Sequence, residues 1–230
     1  MLVDGLRKLW RQPPPPAPPP PEPDRPKVDI LSAAERDAIV ASVLEPRLKP
    51  LGFVEVAPRV WVDGSTAPAR RVFEMGLLKG AAMNAKWGFS LDFTPHLSGR
   101  RIAWHRSDRT AKLDVWLDSG RDYARFLYGA EWLRRDMERL ADVAIAQAQE
   151  TWRRGATWPG MLGLVREIRE RKINRMFVGF RTRLPLAVMF LSAKVGDLAA
   201  AQAELEAYVR DRELPDAVAA KLAKLLGDVA

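Results

Sequence analysis

The spacing of the apolar residues changes twice along this chain, and that change limits the fold more than any other feature. Between Phe53 and Leu117 they recur at every second position, while on either side they recur at helical spacing. Trp87, Phe89, Leu91 and Phe93 alternate with Lys86, Gly88, Ser90 and Asp92, the pattern of a strand with one face on a core. Val60, Trp61 and Val62 run into Asp63-Gly64, and residues 71–79 are strand-like up to Gly80. Residues 101–106 and 112–117 add two strand candidates around Ser107-Asp108-Arg109, read as a hairpin loop. Short connections between successive strands imply antiparallel pairing, so a meander of about five strands is expected.

A helix precedes this stretch. Ser32 and Glu35 form a capping-box pair, and Ala33, Ile39, Val40, Val43 and Leu44 follow at helical spacing. Pro46 and Pro50 are expected to close it, with a turn at Gly52. After the strands, Phe126, Leu127, Ala130, Leu133, Met137, Leu140, Ala141, Ala144, Ile145, Ala148 and Trp152 make one long stripe, with Gly129 as a possible break. Further helices are expected over 161–171, 185–194 and 198–212 and from Pro215 onward, with Gly196-Asp197 as a stop followed by an N-cap. The fold class is α+β: an antiparallel sheet of about five strands, preceded by one helix and followed by four or five.

The proline run before residue 30 is expected to be an arm outside the core of that fold. Ten of the chain's 18 prolines lie in residues 13–26. Such a run has almost no amide donors, adopts polyproline II, and spans roughly 45 Å at about 3.1 Å per residue. In residues 1–12, Leu2, Val3, Leu6, Leu9 and Trp10 share one helical face and Asp4, Arg7, Lys8 and Arg11 the other. A helix this short is marginal in water and orders against a groove or a membrane surface. The chain therefore divides into an amphipathic peptide (1–12), a proline-rich linker (13–29) and one α+β domain (30–230), itself helix plus sheet over 30–118 and helical over 119–230.

Leu48, Lys49, Gly52 and Phe53, at the end of the first helix, resemble the Leu-Lys-x-x-Gly-Phe pattern of the bacterial family called domain of unknown function 4304, and residues 194–209 resemble its late helical part. The resemblance extends over about residues 32–209. It implies a helix, a small antiparallel sheet and then helices, and no catalytic residues.

The chemistry available is narrow. The 230 residues include no Cys and 2 His, which excludes disulfides, thiolate metal sites and a cysteine nucleophile. Phosphate-loop, dinucleotide and nucleophile-elbow glycine motifs are absent from the sequence. No metal and no cofactor is expected, and no apolar run reaches the ~20 residues of a membrane span. The N-terminus lacks the apolar core of a secretory signal, so a cytoplasmic location is expected, with peripheral membrane attachment as a variant.

Strand alternation predicts a core face of Trp87, Phe89, Leu91, Phe93, Ile102, Trp104, Leu113, Val115 and Leu117. The opposite face, of Lys86, Ser90, Asp92, Arg101, His105, Lys112, Asp114 and Trp116, is expected to be polar and solvated. His105 and Asp114 can meet across the last hairpin, but neither they nor His96 match a metal-ligand spacing.

The net charge of +8 is uneven. Residues 100–189 hold 19 basic against 11 acidic groups, and Arg166, Arg169, Arg171, Lys172, Arg175, Arg181 and Arg183 are densest within them. Such clusters attract phosphates and acidic surfaces.

These features imply a non-enzymatic interaction module. Leu2, Leu6, Leu9 and Trp10, with Arg7, Lys8 and Arg11, would bind a partner protein or an anionic membrane surface. The alternatives are a nucleic-acid-binding protein using the Arg-rich surface, and an enzyme built on the polar sheet face.

Overall fold

A computed structural model describes residues 28–98, 101–170 and 178–229, the side chains of 178–182 excepted. Helix α1 (Ala33–Leu48) starts at the expected capping box, with the Ser32 hydroxyl accepting the Glu35 amide and Glu35 reaching back. It runs through Pro46 instead of stopping there. A proline two residues from the helix end loses a single backbone bond, and the buried Leu48 holds the last turn on the core. A short 3₁₀ turn (Lys49–Leu51) follows, then Gly52 at φ 91°, and the Phe53 amide donates to the Leu48 carbonyl at 3.2 Å. The Leu-Lys-x-x-Gly-Phe pattern is thus a helix stop: glycine takes the left-handed position, and Leu48 and Phe53 are buried on either side of it.

Strands β1 (Val54–Ala57), β2 (Val60–Asp63), β3 (Ala69–Leu78) and β4 (Ala82–Leu91) form an antiparallel meander. Strands β5 (His96–Ser98) and β6 (Arg101–Ala103) pair only with each other, whereas β7 (Val115–Asp118) joins β4 and gives the sheet order β1-β2-β3-β4-β7. A two-residue strand, β8 (Ala124–Arg125), also pairs with β4. The expected hairpin of 101–106 with 112–117 does not form. The segment between them folds back over the sheet, because Arg70 on β3 draws it there. Arg70 Nε donates to Asp108 Oδ1 at 2.7 Å and its Nη2 to the Arg106 carbonyl at 2.9 Å, and it pairs with Asp92.

That fold-back overturns the solvated polar face in part: Arg101 and Lys112 are exposed and Lys86 and Asp92 half-buried, but the rest is covered. Ser90, His105, Asp114 and Trp116 are buried, as are Arg70 and Val72 on the neighbouring strand. On the other face Trp87, Phe89, Leu91, Leu113 and Val115 are in the core as expected, while Leu117, Phe93, Ile102 and Trp104 are only half-buried.

Helix α2 (Ala130–Arg154) starts at Gly129, φ 84°, and its buried positions Leu133, Met137, Leu140, Ala141, Ala144, Ile145, Ala148 and Trp152 follow the expected stripe. Phe126 and Leu127 precede the helix. The Trp87 indole donates to Thr151 and the Trp152 indole to the Gly88 carbonyl, both at 3.0 Å, tying α2 to the sheet.

Helices α3 (Trp158–Glu170), α4 (Val178–Lys194), α5 (Leu198–Asp211) and α6 (Asp216–Val229) complete the chain. Helix α4 begins seven residues before Pro185, where the sequence places its start. Over residues 184–193 it is apolar and buried on nearly every side, as a helix between two cores must be. Leu184, Ala187, Val188 and Leu191 face the main core, and Leu186, Met189, Phe190 and Ala193 face a second one made with Ala201, Leu205 and Tyr208 of α5 and Leu222 and Leu226 of α6.

Candidate functional site

The proline-rich linker meets the domain at a fixed point. The Asp29 amide donates to the Leu127 carbonyl and the Asp29 carbonyl accepts the Gly129 amide, both at 2.9 Å, making a parallel bridge to Tyr128. The root of the linker is thereby held at the N-terminal end of α2.

Beside that root is a pocket of about 360 Å³ lined by Arg121, Tyr123, Arg125, Tyr128, Trp132, Asp136 and Arg139. Two local periodicities build it. Arg121, Tyr123 and Arg125 are two residues apart on the stretch that leads from a turn into β8, and Trp132, Asp136 and Arg139 fall at i, i+4 and i+7 on α2. The Arg125 guanidinium lies 5.1 Å from the Tyr123 ring centroid and donates to its hydroxyl at 2.9 Å. That hydroxyl raises the pKa of Arg125 further above its already high ordinary value. The Asp136 carboxylate accepts the Arg125 amide at 3.2 Å, and Arg139 is 3.8 Å from Asp122 with both groups more than half exposed. Trp132 meets Tyr128 edge to face at 6.0 Å, lies under the Arg135 guanidinium at 4.0 Å, and keeps 39% of its surface exposed. A wet indole beside three guanidinium groups suits a surface that is apolar at one depth and anionic at another.

The Arg-rich cluster singled out in the sequence is arranged differently. Arg166 and Arg169 on α3 are turned to α5, where they meet Asp197 at 3.4 Å and Glu204. Arg183 on α4 is half-buried and donates to the Leu113 carbonyl at 3.2 Å, at the end of the sheet. Arg171, Lys172 and Arg175 lie outside the described residues, as do Leu2, Leu6, Arg7, Lys8, Leu9, Trp10 and Arg11, and the side chain of Arg181 is not described. The basic–aromatic pocket escaped the sequence reading because its residues are spread over two elements, whereas 166–183 are dense in one stretch.

His105 and Asp114 do meet, inside the protein. His105 Nε2 is 3.1 Å from both Asp114 oxygens, and each residue is 1% exposed. The His96 ring stacks on His105 at 4.6 Å. Burial, then the neighbouring His105, Lys112 and Arg183, lower the pKa of His96, outweighing Asp114. A sealed pair presents no surface to a substrate, and its geometry is that of a structural clamp. Among the described residues no three His, Asp or Glu groups converge as metal ligands, and no helix is long and apolar enough to cross a membrane.

No protein-family model, curated protein or solved structure matches the chain.

Proposed function

We propose that this protein is a non-enzymatic interaction module. Residues 1–12 and the proline-rich linker hold it to an anionic membrane surface or to a partner protein with an acidic face. The observation that carries this reading is the position of the linker root: Asp29 is bonded to Leu127 and Gly129, next to the pocket of Arg121, Arg125, Arg139 and Trp132. Residues 1–12 and the pocket carry the same combination, cationic groups with an indole, and the linker that follows residues 1–12 enters the domain beside the pocket. Two weak contacts sharing a tether act as one strong contact, because the second binds at the effective concentration set by the first. Each Lys or Arg near an anionic leaflet contributes about 1 kcal/mol, so neither element alone anchors the domain firmly.

The test is sedimentation of the full chain with vesicles of phosphatidylcholine alone or mixed with phosphatidylserine. Binding to the mixed vesicles that falls with salt, and that is lost on deletion of residues 1–27 without a change in melting temperature, supports the membrane arm. Equal binding to both vesicles removes it.

Rings beside guanidinium groups also hold single-stranded nucleic acid, and this favours a second reading through the same pocket. A steep fall in oligonucleotide affinity with salt, together with weaker binding of Trp132→Ala at an unchanged salt slope, would support it.

A further inference from the structure

A second cleft, of about 530 Å³, opens where the end of α2 and the start of α3 meet the start of β3, and it is lined by Arg71, Phe89, Gln149, Trp152, Ala156 and Trp158 among others. Phe89 and Trp152 are buried residues whose surfaces floor it, and Trp158 walls it. The turn after α2 can run flat against this floor because residue 155 is glycine; a methyl group there would collide with the Phe89 ring.

The polar group in this apolar setting is Arg71, and the fold has oriented it. Its side chain is 28% exposed, while its partner Asp63 is 1% exposed. Nε donates to Asp63 Oδ2 at 2.8 Å, and Nη2 donates to the same carboxylate and to the Leu51 carbonyl at 2.9 Å. The guanidinium carbon lies 5.3 Å from the Phe53 ring centroid and 5.5 Å from that of Trp152. Three of the five N–H donors are thereby used, and the two on Nη1 take no hydrogen-bond partner among the described residues. Nη1 is also not among the buried polar atoms lacking a partner, so it keeps solvent contact, and Arg71 is a lining residue of the cleft. Placing an Arg–Asp pair beside aromatic rings carries a desolvation penalty that packing alone does not require. A charged donor fixed in orientation over an aromatic floor, in a cleft of ligand size, is the usual composition of a small-molecule site.

We infer that this cleft binds a small planar molecule bearing one carboxylate, with its ring against Phe89, Trp152 and Trp158 and one carboxylate oxygen accepting from Arg71 Nη1. Asp63 already balances Arg71, and Arg153 at the rim is paired with Glu150 at 2.7 Å. The site therefore has no surplus cation for a phosphate, and what it offers a carboxylate is the charged N–H donors of Arg71 Nη1. This inference is independent of what the N-terminal arm binds.

The experiment is calorimetry of the full chain with two probes, indole-3-acetate and 3-methylindole, which share a ring and differ in the carboxylate. Indole N–H resonances of Trp152 and Trp158 report the location. Indole-3-acetate is expected to saturate one site, to shift both resonances, and to bind at least tenfold more tightly than 3-methylindole. Arg71→Lys keeps a cation for Asp63 but removes the Nη1 corner, and is expected to erase the difference between the probes. Ala156→Trp fills the mouth from an exposed position and is expected to abolish both; it remains decisive if Arg71→Lys fails to fold. Absence of saturation at millimolar probe, or binding unchanged in Ala156→Trp, overturns the inference. So does a shift of the Trp152 and Trp158 resonances on deleting residues 1–27 without any probe, which would make the chain's own N-terminal segment the occupant.

Discussion

Asp114 completes the sheet with its side chain. Its Oδ2 accepts the Leu91 amide at 2.8 Å, at the end of β4 just beyond the last residue paired with β7, while the same carboxylate faces His105 Nε2 at 3.1 Å. Its backbone amide donates to the Phe89 carbonyl at 2.9 Å. One residue thus closes the strand ladder and anchors the fold-back segment. Removing the carboxylate leaves a buried amide and a buried imidazole without partners. Asp114→Ala is expected to destabilise the domain by about 3–5 kcal/mol, read as a lower urea midpoint. A midpoint within error of the parent would show that the clamp contributes nothing.

His96 sets a pH limit. Its folded pKa lies below the ordinary 6.5, with burial as the first cause. The unfolded chain therefore binds a proton that the folded chain resists, and the contribution of His96 to stability falls as pH drops through and below 6.5. Asp63 acts in a separate, more acidic window. Burial raises its pKa, but the Ser65 hydroxyl and Arg71 together hold it below 3.8, so its contribution is present at neutral pH and is lost only as pH falls below that value. Melting temperature is expected to decline in two steps, and His96→Leu to remove the first alone. A profile flat from pH 8 to pH 5 in the parent would contradict the assignment.

Two glycines give opposite expectations. Gly88 sits under β7, and a methyl group there would run into the Val115 carbonyl oxygen, a backbone atom with no room to give. Gly163 in α3 has open space around its Cβ position. Gly88→Ala is expected to disrupt the pairing of β4 with β7 and to prevent cooperative folding. Gly163→Ala is expected to stabilise by up to about 1 kcal/mol through helix propensity. Urea denaturation of the two variants checks both.

Phe89 and Ser90 show how far alternation can be read. Phe89 is buried as its period demands, and Phe89→Ala is expected to cost about 3–5 kcal/mol. Ser90 sits on the face that alternation makes polar, yet it is fully buried and its hydroxyl accepts the Lys112 amide at 3.1 Å. Ser90→Ala is therefore expected to cost about 1 kcal/mol or more. Period two identifies strands and their two faces. It cannot say whether a later segment will cover the second face, because that depends on Arg70 meeting Asp108 across 38 residues of chain. Helix extent was legible where an apolar stripe met a polar cap, as at Ser32 and Asp197, whereas the stripe read from Phe126 begins as a helix only after Gly129. It was misread at Pro46 and Pro185, because burial of the neighbouring leucines outweighs one missing backbone bond. The site was the least legible part. Arg121, Tyr123 and Arg125 follow a strand period and Trp132, Asp136 and Arg139 a helical one, and only the turn at Gly129 brings the two sets together.

The pocket and the Arg166 cluster can be separated by charge removal. Arg166 and Arg169 already face Asp197 and Glu204 across α3 and α5, so at long range each is a near-neutral pair. Arg121, Arg125 and Arg139 line a pocket with one carboxylate, Asp136, and of the three only Arg139 faces a further one, the exposed Asp122 at 3.8 Å. If an anionic surface is the target, replacing these three by Gln removes about 1 kcal/mol of attraction each and is expected to weaken vesicle binding by roughly two orders of magnitude. All three are exposed, so the melting temperature is expected to stay close to that of the parent. Arg166→Gln with Arg169→Gln leaves Asp197 and Glu204 unbalanced nearby and is expected to reduce binding by less than tenfold. Deleting residues 1–27 removes the other half of the attachment, and combining the deletion with the triple substitution is expected to abolish sedimentation at physiological salt. A triple variant that binds as well as the parent would assign the attachment to residues 1–12 alone and leave the pocket without a role in it.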